Sequence, residues 1–420
     1  MNLLDQNFNN KSNVTGILAS VSIFLLFFPS ITFSIINAEV FPWGILIILV
    51  YKLRLDYRSC ILIFFMFISI LLGALFRNEI DFEVIRSFAA YLNVILVSSF
   101  IVHCNDKTLI KIIGILKVVL IVLLSVGILQ VTNALSFAEP VFEFLIRRGS
   151  VSSLDGSERG IRLLSSEPSR AAMELIFIYG ALRVIGLFDK FSIIADLVII
   201  SFLLFFIKSI TGLIFMGLFF SVIYPKLIVL SLFLIPSFIY LVPAEFINSR
   251  ALSLLINVAA NSSLDNFFEL SLKLSGFRFP SVISSYLFGL EYPFGGGIGQ
   301  WMYSSVQALN GLGIEAGEID YFRTEFNSTY VPVRPTSFLA SISLDMGLFG
   351  CLITSYWIAV GLFKKRLHHK VLPVFMIFIV YLLLIGEIGN PVPWVCMLAS
   401  LEFLNRGINR MPGNVKKIRV

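Results

Sequence analysis

Charge is scarce in this sequence. Only 14% of its 420 residues are Asp, Glu, Lys or Arg, against roughly 25% in an average soluble domain. Histidine is scarcer still. His103, His368 and His369 are the only three, which excludes a His-rich metal site. The four cysteines, Cys60, Cys104, Cys351 and Cys396, all lie in or beside apolar runs, and the long polar segments hold none. That excludes a disulfide framework and a CxxC metal site. What the chain has in abundance is apolar surface: 57% of its residues are hydrophobic, 42 of them Phe. A chain of this length with so few polar residues cannot cover a core in water. Soluble enzyme, nucleic-acid-binding domain, secreted disulfide scaffold and disordered chain are all poor readings. An all-α polytopic membrane protein remains, with the bilayer solvating the apolar surface.

A helical span needs about 20 mainly apolar residues. Twelve are expected, at about 14–36, 40–53, 60–76, 87–104, 109–130, 169–187, 192–207, 209–224, 227–242, 336–363, 371–387 and 392–404. The second and last are short. The one beginning at Ser209 follows Lys208 with almost no connection, as half of a broken helix would. The first lacks a basic leader and a small-residue cleavage site, and reads as an uncleaved anchor. Residues 1–420 thus form a single integral membrane domain.

The net charge of +6 reads as a record of orientation rather than of nucleic acid. With a cytoplasmic N-terminus, the short inner segments carry Lys52, Arg54, Arg58, Lys107, Lys111, Lys190, Lys226, Lys364, Lys365, Arg366 and Lys370. A basic cytoplasmic tail at 405–420 adds Arg406, Arg410, Lys416, Lys417 and Arg419. An even number of spans returns both termini to the cytoplasm.

Two long segments then fall outside, at 131–168 and 243–335. Segments of that length without a role are uncommon. The second is patterned as an amphipathic helix over 262–274 and carries eight acidic and five basic residues, so it is no polybasic lipid patch. In and just after the first, Arg147, Arg148, Arg159, Arg162 and Arg170 cluster on the face where basic residues should be few. The planar fork of Arg suits phosphate, so the cluster points to an anionic partner. Anionic lipid headgroups, or pairing with Asp155, Glu158 and Glu167, would account for it more plainly.

Ser165-Ser166-Glu167-Pro168-Ser169-Arg170 opens the sixth span. An acid or Ser before a Pro at the first helical position is also an ordinary helix cap. Glu167, Arg170 or Ala171, and Glu174 share one helix face. Glu174 falls roughly 10 Å into the span at 1.5 Å per residue, where an ionisable group is a functional candidate. Asp345, in the tenth span, is a second intramembrane acid, which a pair with Lys208 would also explain. Arg278, the glycine-rich run Tyr292–Gln300 with Gly297 and Gly299, and Arg334 complete the candidates.

Many apolar spans, a large outside segment before the last three, and Ser-Glu-Pro-Ser heading a central span resemble the O-antigen polymerase (Wzy) family. Arg278, ten residues, Gly289, then Pro293-Phe294-Gly295-Gly296-Gly297-Ile298-Gly299 is similar to that family and to the related O-antigen ligases. Arg334–Gly350 (RPTSFLASISLDMGLFG) resembles the start of the next span in both. Ligases typically place a His just before that span. Here Pro335-Thr336-Ser337 stands there, and the outside segments hold no His, which favours polymerase.

The resemblance implies a C-type glycosyltransferase fold in a bacterial inner membrane. The reaction it implies is polymerisation of undecaprenyl-pyrophosphate-linked oligosaccharide repeat units, as both donor and acceptor, at the periplasmic face. Glu167 would be the base and Arg278 a second catalytic residue. Arg159, Arg162, Arg170, Arg334, Lys208, Gly297 and Gly299 would bind the pyrophosphate or saccharide, with Glu174 and Asp345 as reserve acids. No cofactor or metal is expected, since arginines can neutralise the leaving group. Membrane lipids, a chain-length regulator and a flippase are the candidate partners. An O-antigen ligase, a capsule polymerase and a transporter of polysaccharide or lipid-linked sugar are the alternatives.

Overall fold

The computed structural model describes residues 17–32, 40–51, 53–77, 81–146, 160–226, 276–362 and 367–408. Among them the architecture is helical. In chain order the helices are α1 (17–25), α2 (Ile45–Val50), α3 (Tyr57–Arg77), α4 (Phe82–His103), α5 (Asp106–Val131), α6 (Glu139–Leu145), α7 (Pro168–Val184), α8 (Ser192–Ser201), α9 (Ile210–Ile223), α10 (Arg278–Glu291), α11 (Trp301–Asn310), α12 (Asp320–Glu325), α13 (Phe338–Tyr356), α14 (Leu372–Leu383) and α15 (Val392–Asn405). The only β feature among the described residues is an isolated bridge between Ile31 and Ile146.

Among the described residues, five stretches are long and apolar enough to cross a membrane: Tyr57–Leu75, Phe82–His103, Asp106–Val131, Asp189–Ile207 and Phe338–Val360. Ile210–Ile223, His369–Leu383 and Val392–Asn405 are apolar but shorter. The outward faces carry apolar residues where a water-soluble bundle would carry charge. Phe64, Leu71 and Leu75 on α3, Ile121 and Ile128 on α5, and Ile193, Ile194 and Leu197 on α8 are all exposed. Apolar surface of this extent marks contact with lipid or partner rather than water.

The interior is organised around α7. Nearly every residue from Arg170 to Val184 is buried, and α5, α9, α14 and α15 pack around it. A helix apolar on all sides belongs inside a bundle, and α7 is buried there despite Arg170 and Glu174 because both are hydrogen-bonded. At its far end Tyr179 donates to the buried Asp196 of α8, which also accepts from Tyr224 (2.5 Å) and Arg183 (3.2 Å). This network ties α7, α8 and the end of α9 together.

The helices follow the expected spans in some places and depart from them in others. The second expected span holds only the six residues of α2, about 9 Å of helix. Pro42 and a turn at Trp43-Gly44 precede it, and the Gly44 N–H is held by Asn93 Oδ1 at 2.7 Å. The expected outer segment 243–335 carries three helices in its described part, α10, α11 and α12. There α10 lies along α13, and Leu309, Ala316, Ile319, Phe322 and Val333 form a small core of their own. The helix from Ser192 does break before Ser209, as its spacing suggests. It widens into a π-turn over Phe202–Ile207, and Lys208 takes a left-handed φ of 52°. The expected span 227–242, the amphipathic stretch 262–274 and most of the basic tail lie outside the described residues.

The tenth expected span is interrupted too, in a way composition does not reveal. Gly347 leaves helical geometry inside α13, at φ 66° and ψ −164°. A break at membrane depth frees backbone groups that need partners. The glycine run supplies them: Gly296 N–H donates to Leu344 O and Gly297 N–H to Asp345 O, both at 2.9 Å. Phe349 N–H donates in return to Pro293 O at 3.1 Å.

Candidate functional site

At the end of the bundle where α4, α7, α10, α13 and α15 begin, a cavity of about 690 Å³ opens. Its charged lining is Arg86, Glu167, Arg170, Arg278, Arg334 and Glu387. Phe41, Phe82, Phe277, Trp301 and Tyr321 supply much of the remainder. These residues come from stretches far apart in the chain, all of which the expected topology puts on one side of the membrane. The short basic segments with Lys107, Lys190 and Lys370 lie at opposite helix ends.

Glu167 precedes α7, with Pro168 at the first helical position. Its side chain makes no capping bond to the helix, so the ordinary cap reading does not describe it. Oε2 instead accepts from Arg278 at 3.0 Å and from the Ser169 hydroxyl at 3.2 Å. Arg278 is the first residue of α10. The pair therefore joins two helix starts that are 111 residues apart. Both side chains are partly open, at 41% and 35% of their full exposure.

Arg170 lies one turn into α7 and is buried. It pairs with Glu387, which follows α14, and donates to the hydroxyls of Ser166 (2.7 Å) and Ser30 (3.3 Å). Glu174, one turn deeper, does not line the cavity. It accepts from Ser165 Oγ at 2.5 Å and Asn390 Nδ2 at 3.2 Å. It thus pins the chain just before Glu167 and the chain just before α15.

Arg334 closes the opposite wall. It donates to Asp345 Oδ2 at 2.9 Å and to Ser87 Oγ at 3.0 Å, and its guanidinium lies 5.7 Å from the centre of the Trp301 ring. Asp345 is fully buried and accepts a second bond from Tyr91 OH at 2.8 Å. Its partner is Arg334 and not Lys208. Trp301 N–H donates to Glu83 at 3.2 Å, and Glu83 also pairs with Arg86 at 2.9 Å.

Glu167, Arg170, Arg278 and Arg334 therefore meet in one cavity, with Glu174 and Asp345 braced behind it. The other candidates do not join them. Lys208 is exposed at the helix break, and Arg162 is half-buried beyond the lining. Arg147, Arg148 and Arg159 lie outside the described residues. Gly297 and Gly299 serve packing. A Cβ on Gly297 would stand 2.5 Å from the Gly73 Cα, and one on Gly299 2.5 Å from the Val84 Cα. They let the turn press onto α3 and α4, and the Gly297 N–H is already used on Asp345 O. Arg86, Glu387, Trp301 and Tyr321 were not among the sequence candidates. Arg86 and Glu387 could have been found as ionisable residues at span ends on the same side as Glu167.

The arrangement offers cations for an anion, a carboxylate for a proton, and aromatic surface for a ring. A scan against protein-family models found no match to the chain, and searches of curated proteins and of solved structures found none.

Proposed function

We propose that the chain is a membrane-embedded glycosyltransferase that extends a saccharide carried on a polyprenyl diphosphate, as O-antigen polymerases do. The observation that carries this reading is the Glu167–Arg278 pair in a cavity walled by three further arginines and by Trp301 and Tyr321. An acid base and several guanidinium groups are what transfer from a diphosphate leaving group requires. The acceptor hydroxyl oxygen attacks the anomeric carbon of the donor and gives its proton to Glu167. The bond from that carbon to the phosphate oxygen breaks, and its electron pair leaves with the diphosphate, whose charge the arginines stabilise. A new glycosidic bond forms, and Glu167 returns its proton to water.

In this reading the carrier is undecaprenyl pyrophosphate, the membrane is a bacterial inner membrane, and the cavity faces the periplasm. The charge bias of the short segments at the opposite helix ends fits a cavity on the periplasmic side. The test is incubation of purified protein with lipid-linked repeat units, with and without EDTA. The expected result is a ladder of polymer and release of the diphosphate carrier, both insensitive to EDTA. Absence of product from every lipid-linked saccharide would overturn the reading. Loss of product in EDTA would call for a cation among the cavity carboxylates.

A further inference from the structure

Each of the four arginines lining the cavity faces a carboxylate. The pairs are Arg86–Glu83, Arg170–Glu387, Arg278–Glu167 and Arg334–Asp345. Among the described lining residues these eight formal charges cancel, so an entering dianion gains a cation from them where a pair opens. The pairs differ in what opening would cost. Freeing Arg334 strands Asp345, whose side chain is 1% exposed, and an abandoned buried charge is expensive. Arg170 is 2% exposed and also held by Ser166 and Ser30. Arg86 and Glu83 sit on one helix turn, and Trp301 holds Glu83 as well. Arg278 and Glu167 are the most exposed couple and belong to different elements, so rotation of one side chain separates them. An exposed pair contributes little to stability.

We propose that Arg278 is the exchangeable cation of the cavity, for which a diphosphate ester and Glu167 compete. This rests on the reading of the cavity given above. Arrival of the diphosphate draws the guanidinium away from Glu167 and replaces one exposed contact with a forked one. The Glu167 oxygen that Arg278 covered then has room for an acceptor hydroxyl beside that of Ser169. Arrival of a leaving group thereby releases the base from its cation. The other three arginines keep their carboxylates and shape the wall.

Competition makes a prediction of sign that simple cooperation does not. Binding of farnesyl diphosphate to the purified full-length chain in detergent is measured by calorimetry. Removing the competitor in Glu167→Gln should tighten binding about two- to fivefold, the equivalent of an exposed ion pair. Arg278→Ala should weaken it about tenfold or more. In an Arg278→Ala background the Glu167→Gln gain should vanish. Glu167→Asp keeps the charge on a shorter arm and should fall between wild type and Glu167→Gln. It also serves if the Gln variant does not fold. Weaker or unchanged binding in Glu167→Gln, at a normal melting temperature, would show that Glu167 holds Arg278 in place for the ligand and overturn the proposal. So would a gain that survives Arg278→Ala, since it would reflect the general field. Failure of the wild type to bind farnesyl diphosphate at all would remove the cavity reading and the proposal together.

Discussion

Two acid–arginine pairs stand at the same end of the bundle with the same chemistry and opposite surroundings. Arg334 and Asp345 are 20% and 1% exposed, and Tyr91 and Ser87 complete their bonds. Arg278 and Glu167 are 41% and 35% exposed, and Ser169 donates to the same carboxylate oxygen. The first pair cannot open without leaving a charge in the interior, so it holds α13 to α4. The second can open at small cost, so it is free to act on a ligand. Exposure, and not the identity of the pair, separates the structural role from the chemical one.

The largest effect should come from breaking the buried pair. Arg334→Ala leaves Asp345 with Tyr91 alone and should cost about 3–5 kcal/mol of stability, read as a lower melting temperature or loss of folded protein in detergent. A small change there would mean that the Arg334–Asp345 contact does not hold the fold. The turn beneath this pair comes next. Gly297→Ala drives a Cβ into Gly73 at a φ of 94° and should cost about 1–3 kcal/mol. A melting temperature equal to wild type would show that the turn does not press on α3. The smallest effect belongs to the exposed pair. Arg278→Ala should change stability by no more than about 1 kcal/mol, while polymer formation is lost. A large drop in melting temperature would make the two pairs alike and end the comparison.

The sequence made one of these pairs easier to see than the other. Glu167 and Arg278 each begin a helix and each belong to a motif, so both were visible as candidates. Asp345 and Glu174 were visible because acids are rare at that depth of an apolar run. Their long-range partners were not, because Tyr91 and Asn390 reach them across more than two hundred residues of chain, and no local spacing encodes that. The glycine run was visible but its role was not. A Gly-rich stretch is equally consistent with a ligand cradle and with a turn that must lie close to a helix, and only the positions of Gly73 and Val84 decide between them. The short α2 was hidden for a related reason: its composition is that of a span, while Asn93, on another helix, fixes where it starts. Apolar length was legible throughout, and α3, α4, α5 and α13 fall where it put them.

The central claim is that Glu167 does chemistry while the buried acids hold the fold. The measurement that tests it most directly is the initial rate of polymer formation by Glu167→Gln, from purified lipid-linked repeat units, on protein whose melting temperature is recorded in the same preparation. The account predicts a rate about 10²–10⁴ below wild type with the melting temperature nearly unchanged. A rate close to wild type would contradict it and pass the role of base to Glu387, the other carboxylate lining the cavity.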